Sequence, residues 1–298
     1  MMEELSPQAL REDIDCLLST ITSRHPNPFY YGSEQAFRRH CQLLWACAGE
    51  LSPAQRLAKL LAIPPLLNDG HTRFRGIDGT DGIKKLLKRL PLGLYWFHDG
   101  LHVRAADPGN DRVIVLKYDS VRDSENGRLA DKFEAAFRSL DTNGTQGLIV
   151  DLRKNGGGDN RLNWPLIDGI KTRPEINKPG RLFALVGRGT FSAAVHCAVY
   201  LERHTRCIFA GEPTGSSPNH FGDALDYELP NTKLTVRVSS LWWQESLPYD
   251  SRTAITPQLR VEYTAADYAR GHDAGLALVV DQFRSPGHAD HPSRAQRV

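Results

Sequence analysis

Leu148-Ile149-Val150-Asp151-Leu152-Arg153-Lys154-Asn155-Gly156-Gly157-Gly158 is the stretch whose reading decides the fold. Its apolar opening has the look of a buried strand, and it runs straight into charged residues and a glycine triplet. A second stretch repeats the pattern. Residues 182–186 (Leu-Phe-Ala-Leu-Val) read as a buried strand, Gly187-Arg188-Gly189 turns the chain, and residues 192–202 read as a helix. Residues 207–210 form a third short strand, and 113–118 a fourth. Between 118 and 148, Leu129, Phe133, Phe137 and Leu140 lie on one helical face. Strand–helix–strand at this spacing predicts parallel pairing through right-handed crossovers, and so an α/β fold.

Outward from that core, the front of the chain reads helical. Leu10, Ile14, Leu17, Leu18 and Ile21 recur at helical spacing, as do Phe37, Cys41, Leu44 and Trp45. Ser52-Pro53 opens a further helix, with serine as N-cap and proline at the first helical position. Its apolar face carries Leu57, Leu60 and Leu61, and Pro64-Pro65 ends it. Toward the other end, residues 224–229 and 234–240 alternate in period two and predict a hairpin around Pro230-Asn231. A last helix is expected over 273–283, and the polar tail beyond 285, with His288 and His291, is expected to be solvated and disordered. The expected division is a helical subdomain over 1–65, a core over 66–284 and a tail over 285–298.

Composition excludes several classes. The 298 residues carry 37 Lys+Arg against 35 Asp+Glu, a net charge of +2, which is not a nucleic-acid footprint. The short basic run 84–89 has Leu86 and Leu87 inside it and reads as a solvated helix face. No apolar run approaches the ~18–20 residues that span a bilayer. The opening Met1-Met2-Glu3-Glu4-Leu5 has neither the basic nor the apolar part of a secretory signal, so a cytoplasmic protein is expected. The five cysteines are odd in number and lack any C-x-x-C, which reads as free thiols. No cofactor or metal is expected. The glycine triplet lacks both nucleotide-binding spacings, and His288 and His291 read as solvated rather than metal-bound.

Chemistry concentrates in three segments: Asn68-Asp69-Gly70-His71-Thr72, the glycine loop over 151–158, and Gly187-Arg188-Gly189-Thr190-Phe191-Ser192-Ala193-Ala194. If strands 148–150 and 182–186 are parallel neighbours, the last two loops leave the sheet at the same edge, where α/β proteins bind ligands. Glycines allow positive φ and let N–H groups point at an incoming oxygen. Ser192 at a helix N-terminus would meet unpaired N–H groups and a favourable dipole. A serine beside such donors is what acyl transfer needs. Each piece has a plainer reading as well. Ser192 can be an ordinary N-cap, the triplet a tight turn, and His71 a turn histidine.

The ordered set is more specific than its parts. Asp-Leu-Arg-Lys-Asn-Gly-Gly-Gly followed by Gly-Arg-Gly-Thr-Phe-Ser-Ala-Ala resembles the core of the S41 serine peptidases, the tail-specific or C-terminal processing group. Gly211-Glu212-Pro213-Thr214-Gly215 and Pro218-Asn219-His220-Phe221-Gly222-Asp223 resemble the segment after the nucleophile helix, and Asp69-Gly70-His71-Thr72 resembles the motif of the histidine-using, tricorn-like branch. The resemblance runs with gaps over about 66–283. It implies a ClpP/crotonase-like spiral of ββα units behind the helical N-terminal subdomain, acting on a peptide or protein. Ser192 would be the nucleophile and His71 the general base. Ala193 would supply one oxyanion donor, and Gly157 or its neighbour Gly156 the other. In that branch an acidic residue after the nucleophile helps orient the base, in some members through a second serine. Asp250 is the candidate here and Glu245 the reserve, while Asp250 in a loop also reads as an Asx-turn.

The departures carry information. The other S41 branch places a lysine where this chain reads Gly215-Ser216-Ser217-Pro218, which disfavours a Ser–Lys mechanism. Val195 and His196 follow the Ser-Ala-Ala where many members have glutamate, and His196, one helical turn past Ser192, competes for the base role. The interval between His71 and Asp151, with its apolar stretch over 94–103, is too short for a full PDZ domain. Two alternatives come from other classes. One is a non-catalytic module of the same fold binding apolar ligands, for which Trp242-Trp243 could line a pocket. The other is a crotonase-type acyl-CoA enzyme, which would not need Ser192.

Overall fold

The computed structural model describes residues 5–75, 102–107, 110–125, 127–142, 145 and 147–284. The basic run over 84–89, most of the 94–103 stretch, and the tail with His288 and His291 lie outside the described residues. Contacts divide the chain into two compact units, Met1–Tyr95 with His220–Trp243, and Trp96–Asn219 with Gln244–Val298. This differs from a division at residues 65 and 284, because the 225–238 hairpin joins the strand that follows the front helices.

The first unit opens with α1 (Pro7–Arg24), α2 (Glu34–Ala46) and α3 (Pro53–Leu61). Each starts on a serine, at 6, 33 and 52, whose hydroxyl accepts a hydrogen bond from an N–H of the first turn. At Ser52 the Gln55 side chain returns the bond, completing a capping box. Most of the apolar positions expected from spacing are buried: Leu10, Ile14, Leu17 and Ile21 of α1 pack with Phe37, Cys41, Leu44 and Leu60, whereas Leu18, Leu57 and Leu61 are half-buried and Trp45 is exposed, with the Arg11 guanidinium over its ring. Pro64–Leu67 forms a 3-10 turn that ends on Asn68 in the left-handed region, at φ 53°. The chain then enters β1 (Arg73–Phe74), which pairs antiparallel with β9 (Thr235–Val238). β8 (Leu225–Glu228) pairs with β9 as the predicted hairpin, and Val236 and Val238 complete the helical core. β7 (Asn219–Gly222) and β10 (Leu241–Gln244) pair in a separate two-stranded ribbon.

The second unit is the α/β core. Its six-stranded sheet has the order β11-β6-β5-β4-β3-β2, with β2 (His102–Asp107), β3 (Asn110–Lys117), β4 (Gly147–Asp151), β5 (Leu182–Val186), β6 (Ile208–Gly211) and β11 (Leu259–Arg260). β3 through β11 run parallel, and β2 adds an antiparallel edge. Three crossovers carry α4 (Leu129–Thr142), α5 (Trp164–Lys171) and α6 (Ala193–His204). The short strands have apolar residues at successive positions because both faces are covered. Leu148, Val150, Leu182, Ala184 and Val186 pack on the side of Phe133, Ile167 and Val199. Ile149, Phe183 and Leu185 face the opposite side, against Val279 of α8 (Ala274–Arg284), the predicted last helix. A shorter helix, α7 (Ala265–Arg270), precedes it. The parallel pairing of β4 with β5 brings both of their following loops to one sheet edge. Among the described residues no helix is long and apolar enough to cross a membrane.

Candidate active site

Ser192 sits where β5 turns into α6, at φ 54° and ψ −128°. Positive φ is uncommon outside glycine, and a serine held there marks a turn that the surroundings enforce. Although it occupies the N-cap position, its side chain makes no capping bond. The plain N-cap reading therefore does not describe it. Residue 192 is partly exposed, and its N–H donates to Ser216 Oγ at 3.3 Å. The Ser216 hydroxyl thus braces the main chain of Ser192. The next N–H, that of Ala193, stands at the first position of α6, where no helical acceptor exists. It makes no hydrogen bond among the described residues.

Two side chains bind the neighbouring loops into one piece. Thr190 Oγ1 accepts from the Gly187 N–H at 3.0 Å and donates to the Leu152 carbonyl at 2.9 Å. Asn155, fully buried, donates to the Tyr118 carbonyl at 3.0 Å and accepts from the Gly157 N–H at 2.9 Å. The Asn155 carbonyl also accepts from the Phe191 N–H at 3.0 Å, one residue before Ser192. Gly157, at φ 95°, packs so closely that a Cβ there would stand 2.7 Å from Ser192 Cβ and 2.8 Å from the Ala193 nitrogen. The loop therefore lies against the serine as its sequence position implied. Either Gly157 or Gly156 is expected to offer its amide to an incoming oxygen, and neither amide is open to one. The Gly156 N–H donates to the Asp119 carbonyl at 3.2 Å, and the Gly157 N–H is held by Asn155. Of Gly156, Gly157 and Ala193, only Ala193 keeps its donor without an acceptor among the described residues.

The other residues singled out in this unit have different surroundings. His196 is buried, with Nδ1 3.4 Å from Asn160 Nδ2. The same amide donates to Glu245 Oε1 at 2.8 Å and to the Tyr200 hydroxyl at 3.3 Å. His196 and Glu245 thus belong to one interior polar cluster. Asp250 accepts from Ser246 Oγ at 2.6 Å and from the Arg252 guanidinium at 2.7 Å, and its own turn includes the Arg252 N–H on Oδ1 at 3.1 Å, the Asx-turn pattern. Burial alone would raise its pKa, but the bonds from Arg252 and Ser246 hold it at about 2. A cavity of about 370 Å³ does open at the carboxyl ends of the parallel strands. Its wall includes Asp151, Arg153 and Asp273, with Arg153 clamped between the two carboxylates at 2.7 and 2.6 Å. Ser192 is not on that wall.

In the first unit the left-handed Asn68 turns the chain so that Asp69 points inward and His71 follows two residues on. Asp69 is the centre of this region. Its Oδ2 accepts from Thr72 Oγ1 at 2.6 Å, Ser239 Oγ at 2.7 Å and His25 Nε2 at 3.1 Å, and its Oδ1 from the His71 N–H at 3.0 Å. His25 Nδ1 accepts the Asn27 N–H at 3.1 Å, which assigns the ring proton to Nε2 and the donor role toward Asp69. Burial works to raise the Asp69 pKa, and the four hydrogen bonds overcome it, leaving a carboxylate near pKa 2. Pairing of β1 with β9 places Ser239 beside Thr72, whose Oγ1 accepts the Ser239 N–H at 3.1 Å.

His71 has Nδ1 3.9 Å from Asp69 Oδ1 and its ring stacked on His220, with centroids 5.2 Å apart and planes 9° from parallel. Burial is the main cause that lowers its pKa, to about 4, followed by repulsion from His220; attraction to Asp69 opposes, and Arg73 and Arg237 add to the lowering. The imidazole is therefore neutral at physiological pH, the form a base requires. On its Nε2 side is Gly222, where a Cβ would come 4.0 Å from that nitrogen and 3.0 Å from the Trp243 ring. Trp243 is fixed by Nε1 donating to Asp223 at 2.9 Å, and Trp242 packs on Phe221. Sequence reasoning named His71 and the motif containing Asp69, but missed Asp69 as the buried carboxylate and missed His25, Ser239 and His220 around it. Their spacing carries no local signal, since pairing and packing bring them in from distant positions. Among the described residues no group of three or more His, Cys, Asp or Glu could hold a metal ion.

No protein-family model matches the sequence, and no curated protein matches it. Solved structures do. A putative peptidase from Parabacteroides merdae aligns at a TM-score of 0.62 and 18% identity, covering 96% of this chain and 99% of its own. A photosystem II D1 C-terminal processing protease aligns at 0.45 and 13%, over 85% and 93%. A putative S41 protease from Bacteroides fragilis aligns at 0.42 and 14%, over 62% of this chain and 55% of that one. The first of these likenesses shows a shared fold across nearly the whole of both chains.

Proposed function

We propose that this chain is a serine-type peptidase of the S41 kind, in which Ser192 attacks the peptide carbonyl and His71 takes its proton. The observation that carries the reading is the turn at Ser192: a serine at φ 54°, released from capping, followed by an N–H with no acceptor among the described residues. That combination presents a nucleophile and an oxyanion donor on consecutive residues of a rigid strand-to-helix turn. The sequence resemblance and a shared fold with a putative peptidase support the same reading.

The chemistry follows in two steps. His71 accepts the Ser192 hydroxyl proton as Oγ bonds to the carbonyl carbon, and the Ala193 N–H stabilises the oxyanion. The protonated imidazole then donates to the leaving amine, and an acyl-serine remains until water, deprotonated by His71, attacks it; the C–Oγ bond breaks and His71 returns the proton to Ser192 Oγ. Asp69 is the carboxylate that orients the base. Its distance of 3.9 Å from Nδ1 closes to a hydrogen bond as the ring becomes charged. The engaged glycine amides speak against the crotonase-type alternative, which depends on backbone donors alone.

The test is covalent. A fluorophosphonate probe is expected to label Ser192, as located by peptide mass mapping, and Ser192→Ala and His71→Asn should each remove both labelling and peptide cleavage. Labelling of another residue, or unchanged labelling in Ser192→Ala, overturns the assignment.

A further inference from the structure

Two imidazoles lie face to face in the first unit. His220, on β7, is 97% buried by the measure of its 3% exposure, and its ring covers that of His71 at 5.2 Å with planes 9° apart. This second histidine has no part in the proton transfers above. We propose that His220 is a positioning residue for His71: its stacked ring fixes the plane of the base and, because two such rings cannot both be charged cheaply, opposes a proton on His71. The inference rests on His71 being the base of the proposed reaction.

The argument is geometric first. Near-parallel stacking leaves His71 free to slide or turn only within its own plane, in which its two nitrogens face different neighbours. Asp69 lies toward Nδ1, and the side-chain-free Gly222 lies toward Nε2. A ring rotated out of this plane would break with both. The electrostatics follow from the same contact. Positive charge on the His220 ring disfavours a proton on His71. The other charged groups that act on His71 are Asp69, which attracts a proton, and Arg73 and Arg237, which repel it; His25 acts through its bond to Asp69. Burial works with His220, and Asp69 works against them. A base protonated only well below neutrality keeps its function under mildly acidic conditions.

The experiment is an NMR titration of histidine ring C–H signals in the full chain, for the parent, His220→Phe and His220→Ala. His71 is assigned by the loss of its signal in His71→Gln. Phenylalanine keeps a flat ring in place and removes the charge. The His71 midpoint is expected to rise by about one pH unit or more in His220→Phe, a tenfold gain in proton affinity. The acid limb of kcat/KM should move up with it. In His220→Ala the midpoint also rises, and kcat falls further than in His220→Phe because the ring loses its brace. An unchanged His71 midpoint in both variants overturns the proposal, as does a fall in kcat without any movement of the pH profile. The NMR reading needs no turnover. A shifted midpoint in a chain that cleaves no peptide would uphold the pairing and refute the peptidase reading.

Discussion

The two regions that hold the candidate residues are built on different principles. Around Ser192 the work is done by main-chain geometry. A positive φ, a glycine packed on the Ser192 turn and an N–H without an acceptor among the described residues are fixed by a parallel sheet and the start of α6. Around His71 it is done by side chains. A buried carboxylate collects hydrogen bonds from His25, Thr72 and Ser239, and an imidazole is held between that carboxylate and a second ring. The first region should be sensitive to atoms added near the backbone and indifferent to pH. The second should respond to pH and to the loss of single polar groups. Main-chain sites tolerate no bulk, whereas polar side-chain networks tolerate no missing partner.

The largest expected effect breaks the first region. Gly157→Ala would place a methyl group within 2.7 Å of Ser192 Cβ, on a residue whose φ of 95° already disfavours any side chain. The turn must shift, and with it the Ala193 N–H. A loss of roughly 100- to 1000-fold in kcat/KM is expected, the size of losing an oxyanion donor. Circular dichroism should show the fold retained, since the glycine sits in a loop. Activity within threefold of the parent would show that the loop's closeness to Ser192 has no bearing on turnover.

This contrast also explains what could be read from the sequence. The Ser192 region was legible because each of its parts is local. A buried strand announces the loop after it, so residues 148–158 and 182–194 gave the α/β core, the crossing helices and the serine turn together. Even there, hydrogen bonding was out of reach. Asn155 stood in plain view in the glycine motif, yet nothing in its neighbours says that its side chain captures the Gly157 N–H. The region around His71 was legible only at the motif containing it. His25 comes from the loop after α1, Ser239 from the end of β9 and His220 from β7, and three separate pairings and packings converge on Asp69 and His71. Asp69, two residues before His71, gives no sign in the sequence of the hydrogen bonds it collects, whereas Asp250 closes its own turn with Arg252.

The next effect sharpens the second region through its pH dependence. His71 has a folded pKa of about 4 against 6.5 for a free histidine, so the unfolded chain binds the proton more readily. The stability this neutral ring retains is complete above pH 6.5 and is lost as pH falls from there to about 4, by at most about 3 kcal/mol. Asp69 acts in a separate, lower window. Its carboxylate contributes above pH 3.8, and that contribution goes as pH falls toward 2. Urea denaturation at a series of pH values should show the upper window in the parent and its absence in His71→Gln. Gly157→Ala should leave the upper window in place, because it changes none of the groups that surround His71. Equal slopes in the parent and His71→Gln between pH 6.5 and 4 would show that the imidazole is not held neutral.

The smallest effect tests how far main-chain geometry at Ser192 depends on a side chain at all. Ser216 Oγ accepts the Ser192 N–H at 3.3 Å, a long, neutral bond to a partly exposed residue. Such bonds contribute roughly 0.5–1.5 kcal/mol, and water can replace this one. The strained φ at Ser192 has other supports: the Phe191 N–H on the Asn155 carbonyl, and the Val195 and His196 N–H groups on the Ser192 carbonyl. If Ser192 is the nucleophile as proposed, Ser216→Ala should lower kcat/KM by no more than about tenfold, with KM unchanged, because the hydroxyl holds only the Ser192 backbone. A loss as large as that of Gly157→Ala would mean that this hydroxyl holds the turn, and that the region around Ser192 depends, like the one around His71, on a single polar partner.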